Sequence, residues 1–499
     1  MRRSLLKLRK YTMLLHRWMG VVFCLLFLMW FASGIVMMYS SYPVLTAAQR
    51  LTHLPVLKPA LIRVQPDTAL SLAGIAKPEQ VVLSSLEGRP VYRVRASGRL
   101  TTVFADTGSL FGGLDGESAK TIAATWAGLE AAKVRSIDRL NEEDQWTVPQ
   151  KYRPYRPLWK VTWPTGEQVY ISNVTGEIVQ VTTRTSRLIS YFGAIPHWIY
   201  FTQLRKDAAK WNAVVIWLSA SGAVMTLLGI IAGLWLYSPS KKYRFASGPS
   251  YIPYSGQKRW HLMLGLIFGL STFTWILSGM FSMSVLKSTP DPIEAPVKHM
   301  LTGGTWHGKE WQEAELPQAL TLLSHQGGFR EIELLRYLDR PVYLATDSPA
   351  TSALVFSSGT KATTVQDAVL TDAVARAISP YRVIDSRVVR RYETYYVDRH
   401  GEKPLPALYL QTDSPSAAAF YIDLRTGRLV QTYTAVARWN RWLYHGLHSL
   451  DLPILYRSRP LWDAIILLFM GGGIALSWTG VTIGYRRVRS KLVTTRKAH

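Results

Sequence analysis

The sequence predicts a membrane protein: a four-transmembrane-helix bundle made by parallel tandem duplication, carrying two α+β domains on the side opposite its termini. Three observations predict this. Four long runs are apolar and uncharged, the surplus of cations gathers in three short segments, and a set of motifs recurs at a nearly fixed offset.

The four runs are Trp18–Tyr39, Trp211–Ser240, Leu262–Leu286 and Ala464–Tyr485, each of at least 22 residues. About 20 apolar residues cross a hydrocarbon core of about 30 Å. The first run follows a basic start, as a signal peptide does, and Ala47-Ala48 could pass for a cleavage site. Its apolar stretch exceeds the roughly 7–15 residues of a signal sequence, so it is expected to remain as a helix.

The formal net charge is +25, which at first suggests a nucleic-acid partner. The distribution argues against one. Arg2, Arg3, Lys7, Arg9 and Lys10 precede the first run. Lys241, Lys242, Arg244, Lys258 and Arg259 separate the second from the third. Arg486, Arg487, Arg489, Lys491, Arg496 and Lys497 follow the fourth, and none of these segments contains an acid. If all four runs span, the three segments share one side, and cation-rich loops mark the cytoplasmic side.

The expected organisation is a cytoplasmic start (1–17), helix one (18–40), a first outer domain (41–185) and an interfacial segment (186–210). Helix two (211–238), a cytoplasmic linker (239–260) and helix three (261–286) follow. A second outer domain (287–436), an interfacial segment (437–461), helix four (462–485) and a cytoplasmic tail (486–499) complete the chain. In the outer domains, "PVYRVRA" and "QVYISNVTGEIV" alternate as strands do. "SAKTIAATWAGL" and "VQDAVLTDAVARAI" suit short amphipathic helices. The lone cysteine, Cys24, permits no intrachain disulfide and reads as packing.

The repeat is specific. From His16 and from His261, Gly follows at +4 (Gly20, Gly265), Trp at +14 (Trp30, Trp275), Ser-Gly at +17 and +18, and Met at +22. From His197 and from His448, Trp follows at +14 (Trp211, Trp462) and Gly at +25, +32 and +36. An offset of 251 aligns the second set, the two "RPVY" strands, and "VYISNVTGEIVQ" with "FYIDLRTGRLVQ". At about 100° per residue, the positions repeated after His16 fall within about 40° of one helix face.

Glycines such as Gly229, Gly233, Gly480 and Gly484 are read as close helix packing. The histidines need another account, because an imidazole at an apolar interface requires a partner. Neutral imidazole is a metal ligand. Structural zinc wants four ligands, which the spans lack, whereas haem needs two axial ligands on opposite sides of a flat ring. The pair His16/His261 is the first candidate, with Gly20 and Gly265 for ring clearance and Arg17 and Arg259 as partners of the propionates. Capped helix ends or another metal are the alternatives. His197/His448 is the second candidate pair, in aromatic segments suited to the membrane interface. His445, three residues before His448, is an alternative ligand or a supporting partner, although Ala194 stands at its place in the first half. His299, His307, His325 and His400 are unrepeated and read as solvated side chains, with His299 and His307 as possible substrate contacts. No Cys-x-x-Cys-His occurs, which excludes covalent haem attachment and leaves two haem b groups as the expected cofactors.

The stretches "LHRWMG…SG", "GLHSLD", "RPLWD" and the "TGEIV"/"TGRLV" strand elements resemble the PepSY-associated transmembrane family, from about residue 10 to 488. That resemblance implies PepSY-like outer domains and a multi-pass bacterial inner-membrane protein with both termini cytoplasmic and large periplasmic domains. It also implies kinship with ferric-siderophore reductases that carry two haems in four helices, with His16, His261, His197 and His448 as ligands. The large outer domains depart from that pattern. The expected activity is haem-dependent reduction of a periplasmic ferric siderophore or other Fe(III) chelate, releasing iron. The cytoplasmic segments are short and hold no G-x-G-x-x-G after a strand, so the electron donor is expected to be membrane quinol or a separate cytoplasmic reductase. The alternative class is a membrane-anchored regulator or peptidase inhibitor without redox activity. A transporter would want acids in the spans, and these contain none.

Overall fold

The computed structural model describes residues 2–496, except 284, 286–290, 303–315, 325–327, 339, 349–350, 357–365 and 399–400. The chain divides into two compact units. One comprises Met1–Tyr42, Ser186–Lys287 and Trp439–His499; the other comprises Pro43–Thr185 and Ser288–Arg438.

The first unit is built on four long helices: α1 (Arg2–Tyr39), α2 (Ala208–Leu236), α3 (Gly256–Phe281) and α4 (Leu461–Arg496). All four are long and apolar enough to cross a membrane. Helix α1 runs unbroken from Arg2, so the expected cytoplasmic start is itself helical and is continuous with the span. The Asp207 carboxylate caps α2 by accepting a hydrogen bond from the Lys210 N–H at 2.9 Å, satisfying one of the open donors at a helix start. Helix α1 packs against α2 and α4, and α3 packs against both of these. The helices therefore form a ring in which α1 faces α3 across a diagonal, as α2 faces α4. The centre is filled by Phe23, Phe27, Phe31, Ala223, Met225, Trp275 and Ile276, all buried. Outward-facing Val22, Leu25, Trp217, Ile267, Leu270 and Leu468 are exposed. An apolar girdle of this kind is satisfied by lipid rather than water.

The second unit corrects one expectation. Two separate outer domains were expected, but the halves share one six-stranded antiparallel sheet. Its strand order is Thr351–Phe356, Arg340–Ser348, Glu331–Tyr337, Gln80–Leu86, Arg89–Ala96 and Arg99–Phe104. The physical reason is at the middle. Gln80–Leu86 and Glu331–Tyr337 would each be an exposed edge of a three-stranded meander, and pairing them removes both edges. The register is Val81↔Leu334, Val82↔Glu333 and Leu83↔Ile332. One face carries Leu83, Tyr92, Val94, Val103, Ile332, Leu334 and Tyr343 into a core closed by Leu70, Ala319, Leu320 and Leu323.

Two further four-stranded antiparallel sheets complete this unit: Ser136–Leu140, Leu158–Thr162, Gln168–Ser172, Ile178–Thr182, and Val383–Val389, Ala407–Thr412, Ala419–Asp423, Leu429–Tyr433. The first is covered by the helix Gly116–Ala127, which buries Ala119, Ala123 and Ala124 against Val161, Val169 and Ile171. Asp115 caps that helix through the Ser118 N–H, and Gly128 ends it at φ 63°. The turn between the third and fourth strands of each four-stranded sheet is tied back to the shared sheet by an ion pair, the two of opposite sense. Arg93 of the sheet meets Glu177 of one hairpin at 3.6 Å, whereas Glu333 of the sheet meets Arg428 of the other at 2.6 Å.

Leu83 is fully buried at the central seam. Leu83→Ala is expected to cost about 2–5 kcal/mol through lost burial and a residual cavity. A lowered urea midpoint, followed by circular dichroism at strand wavelengths, would register it; an unchanged midpoint would mean the seam is not part of the cooperative core.

Candidate functional site

Four histidines meet in two pairs inside the first unit. His16 on α1 and His261 on α3 face each other across the bundle diagonal, their ring centroids 6.2 Å apart. His197 and His448, on short segments before α2 and α4, have centroids 6.1 Å apart.

Each ring is held through Nδ1. His16 Nδ1 lies 3.0 Å from the Met225 carbonyl of α2. A carbonyl can only accept, so Nδ1 carries the proton and Nε2 keeps its lone pair. His261 Nδ1 lies 3.0 Å from Thr479 Oγ1 of α4. That hydroxyl donates its one proton to the Leu476 carbonyl at 2.7 Å, so it accepts from the imidazole and fixes the same tautomer. Met225 and Leu476 are 251 apart, as the repeat requires. His197 Nδ1 lies 3.1 Å from the Trp30 carbonyl and 3.2 Å from Ser33 Oγ. His448 Nδ1 lies 3.1 Å from the Trp275 carbonyl and 3.2 Å from Ser278 Oγ. Burial, and then the neighbouring His448, hold the His197 pKa below its ordinary value, so that imidazole is neutral at physiological pH.

Glycines make the seats. A Cβ on Gly229 would stand 2.5 Å from His16 Cε1; one on Gly480 would collide first with the Cys24 side chain and stand 3.4 Å from His261 Cε1. For Gly34 and His197 the distance is 3.3 Å, and for Gly279 and His448 it is 3.4 Å. Every ring rests its Cε1 edge against a helix where no side chain intervenes. Gly229 and Gly480, read from sequence as plain helix packing, therefore shape the site. The Ser-Gly repeat of α1 and α3 serves the second pair, not the histidine on its own helix.

The second pair is also pinned from below. Trp211 donates its indole N–H to the Trp198 carbonyl at 2.9 Å, and Trp462 donates to the Ser449 carbonyl at 3.0 Å. Each of these carbonyls belongs to the residue after a histidine. Ile199 and Leu450, one residue further on, both adopt left-handed backbone (φ 52° and 48°). That conformation is costly for a β-branched or bulky residue. It turns the chain sharply after each histidine. His445 lies outside the pair: it is half-exposed, with Nδ1 3.8 Å from Asp451 Oδ2, and its ring rests on Tyr444. His448 is the partner of His197.

A cavity of about 860 Å³ opens around His16 and His261. Gly20 and Gly265 line it, and the nearest atom that a Cβ on either would meet is 3.8 Å away. Arg17 lines it too. Arg259 does not; the adjacent Lys258 does, with Arg486 and Arg487. The helical phase explains this, because neighbouring residues differ by about 100° around the axis. His299 is exposed on the helix Glu294–Thr302 of the second unit, and His307, His325 and His400 lie outside the described residues.

Replacing Gly229 by Val should force His16 out of its seat. The expected result is a bundle less stable by about 1–3 kcal/mol, with His16 more open to acylation by diethyl pyrocarbonate. Gly471, against which nothing packs within 4 Å, should accept Ala with no loss, and a detergent melting series of both variants checks the contrast.

Compared with known proteins, the sequence matches the family described as PepSY-associated TM region over residues 13–487. Among curated proteins, none matches it significantly.

Proposed function

The chain belongs to the PepSY-associated transmembrane family, and on that premise we propose that it is an inner-membrane haem-containing reductase. It passes electrons across the membrane to a periplasmic Fe(III) acceptor, a ferric siderophore or other Fe(III) chelate. The carrying observation is the pair of histidine pairs, each with its Nδ1 protons engaged and its rings about 6 Å apart. Two metal–imidazole bonds of about 2.0–2.1 Å set end to end, plus the short distance from each nitrogen to its ring centre, give a similar span of about 6 Å. Among the described residues no group of three or more His, Cys, Asp or Glu could hold a metal. Each pair offers two imidazoles with Nε2 free, a donor set that would fit haem iron.

Haem b, bound at each pair, would supply one-electron redox chemistry. The chain's own residues do the rest. The four Nδ1 partners fix the tautomer that leaves Nε2 free and orient each ring, the usual task of groups behind a metal-binding histidine. The buried Phe23, Phe27, Phe31 and Trp275 keep water out of the space between the pairs. Along α1, Ser33 follows His16 by 17 residues, so the pairs stand roughly 20–25 Å apart along the axis, most of the way across a core of about 30 Å. The acid-free cationic segments support placing His16/His261 at the cytoplasmic end and the second unit in the periplasm. Membrane quinol or a separate cytoplasmic reductase supplies the electron. The Fe(III) substrate takes one electron and becomes Fe(II), which hard oxygen ligands hold more weakly. The shared offset of 251 in sequence, side-chain contacts and strand register supports an origin by tandem duplication.

A reduced-minus-oxidised visible spectrum of detergent-purified protein tests this reading. Low-spin b-type bands from two haems per chain are expected, with one lost in His16→Ala, the other lost in His448→Ala, and both kept in His445→Ala. Colourless protein from haem-replete cells would sink the proposal.

A further inference from the structure

The mouth of the cavity around His16 and His261 is lined by Arg17, Lys258, Arg486 and Arg487, and no acid lies anywhere on the cavity wall. Three of these cations, Arg17, Lys258 and Arg486, are exposed. Arg487 differs. Its guanidinium lies over the Trp18 ring, 5.4 Å from the centroid, and its Nε is buried with no hydrogen-bond partner. A buried charged donor without an acceptor is costly. Arg487 follows Gly480, the seat of His261, by seven residues, so it shares that helix face about 10 Å further along. The position 251 residues earlier is Leu236, which also lines the cavity, so one half alone places a cation here.

We propose that Arg487 is the anchor for a carboxylate of the group held between His16 and His261, on the α4 side of the cavity. This rests on the haem reading and assigns the propionate partner to a residue that spacing along the first and third helices does not reveal. A guanidinium stacked on an indole, with its Nε–H lacking an acceptor, is preorganised for a carboxylate.

The test is a chemical cycle on full-length protein purified without haem from haem-limited cells, in a His448→Ala background that leaves only this pair. Protohaem and its dimethyl ester, which lacks the carboxylate charges, are titrated and followed by the Soret band. The parent should bind protohaem more tightly than the ester. Arg487→Gln should weaken protohaem binding about 10-fold or more, the scale of a lost charge-assisted hydrogen bond, and leave ester binding almost unchanged. Arg487→Lys should fall between, and Arg489→Gln, outside the cavity wall, should match the parent. Equal binding of protohaem by the parent and Arg487→Gln would overturn the assignment, as would an equal loss for protohaem and ester, which would mean a purely structural role. A parent that binds neither form, together with wild-type protein that also binds neither, would overturn the haem reading itself.

Discussion

Everything in the bundle depends on the Nδ1 hydrogen bond of a buried histidine. An imidazole inside an apolar helix bundle is tolerable only when its N–H has an acceptor. Each acceptor here belongs to a different segment from the ring it serves: His16 reaches α2, His261 reaches α4, and His197 and His448 reach back to α1 and α3. These four bonds thus fix both the tautomers and the relative heights of the helices. A slide of one helix by a single turn, about 5.4 Å, would leave a carbonyl and an imidazole unpaired together.

The glycines follow from the same constraint. For a ring on one helix to reach a carbonyl on the next, the intervening surface must be bare, and Gly34, Gly229, Gly279 and Gly480 make it so. The cost of helix-interior glycine in conformational freedom is about 1 kcal/mol each. That cost is offset by ring contact and by a satisfied hydrogen bond. The left-handed turns at Ile199 and Leu450 belong to the same arrangement, since they let the chain leave the site as soon as the histidine has been delivered.

Much of this was legible in the sequence. The spans, the pairing of His16 with His261 and of His197 with His448, and Gly20 and Gly265 beside a cavity could all be read from uncharged runs and repeated spacing. What could not be read depended on contacts between helices. The helical face shared by His16, Trp30 and Gly34 suggested one common task, yet His16 and Gly34 serve different pairs. Gly229 and Gly480 looked like packing because nothing local says which side chain a bare helix surface admits. Arg259 and Lys258 are neighbours in the chain, and only the phase of α3 decides which reaches the cavity. Likewise, strand alternation announced the second unit's sheets, but joining six strands into one sheet is a long-range pairing with no local signal.

That joining has a consequence for how the molecule is held together. With Val81 opposite Leu334 and Leu83 opposite Ile332, each residue meets the counterpart of its mirror neighbour, which is the geometry of an isologous interface between identical subunits. At this seam the two halves meet as the partners of a homodimer would. A true homodimer must present the same residue at both symmetric places, whereas a linked one is free to differ. One ion pair across the halves uses that freedom: Arg50 meets Glu331 at 2.5 Å, whereas the places 251 residues away hold Leu301 and Gln80. Two separately expressed halves would carry this difference as an address, favouring the heterodimer over either like pairing.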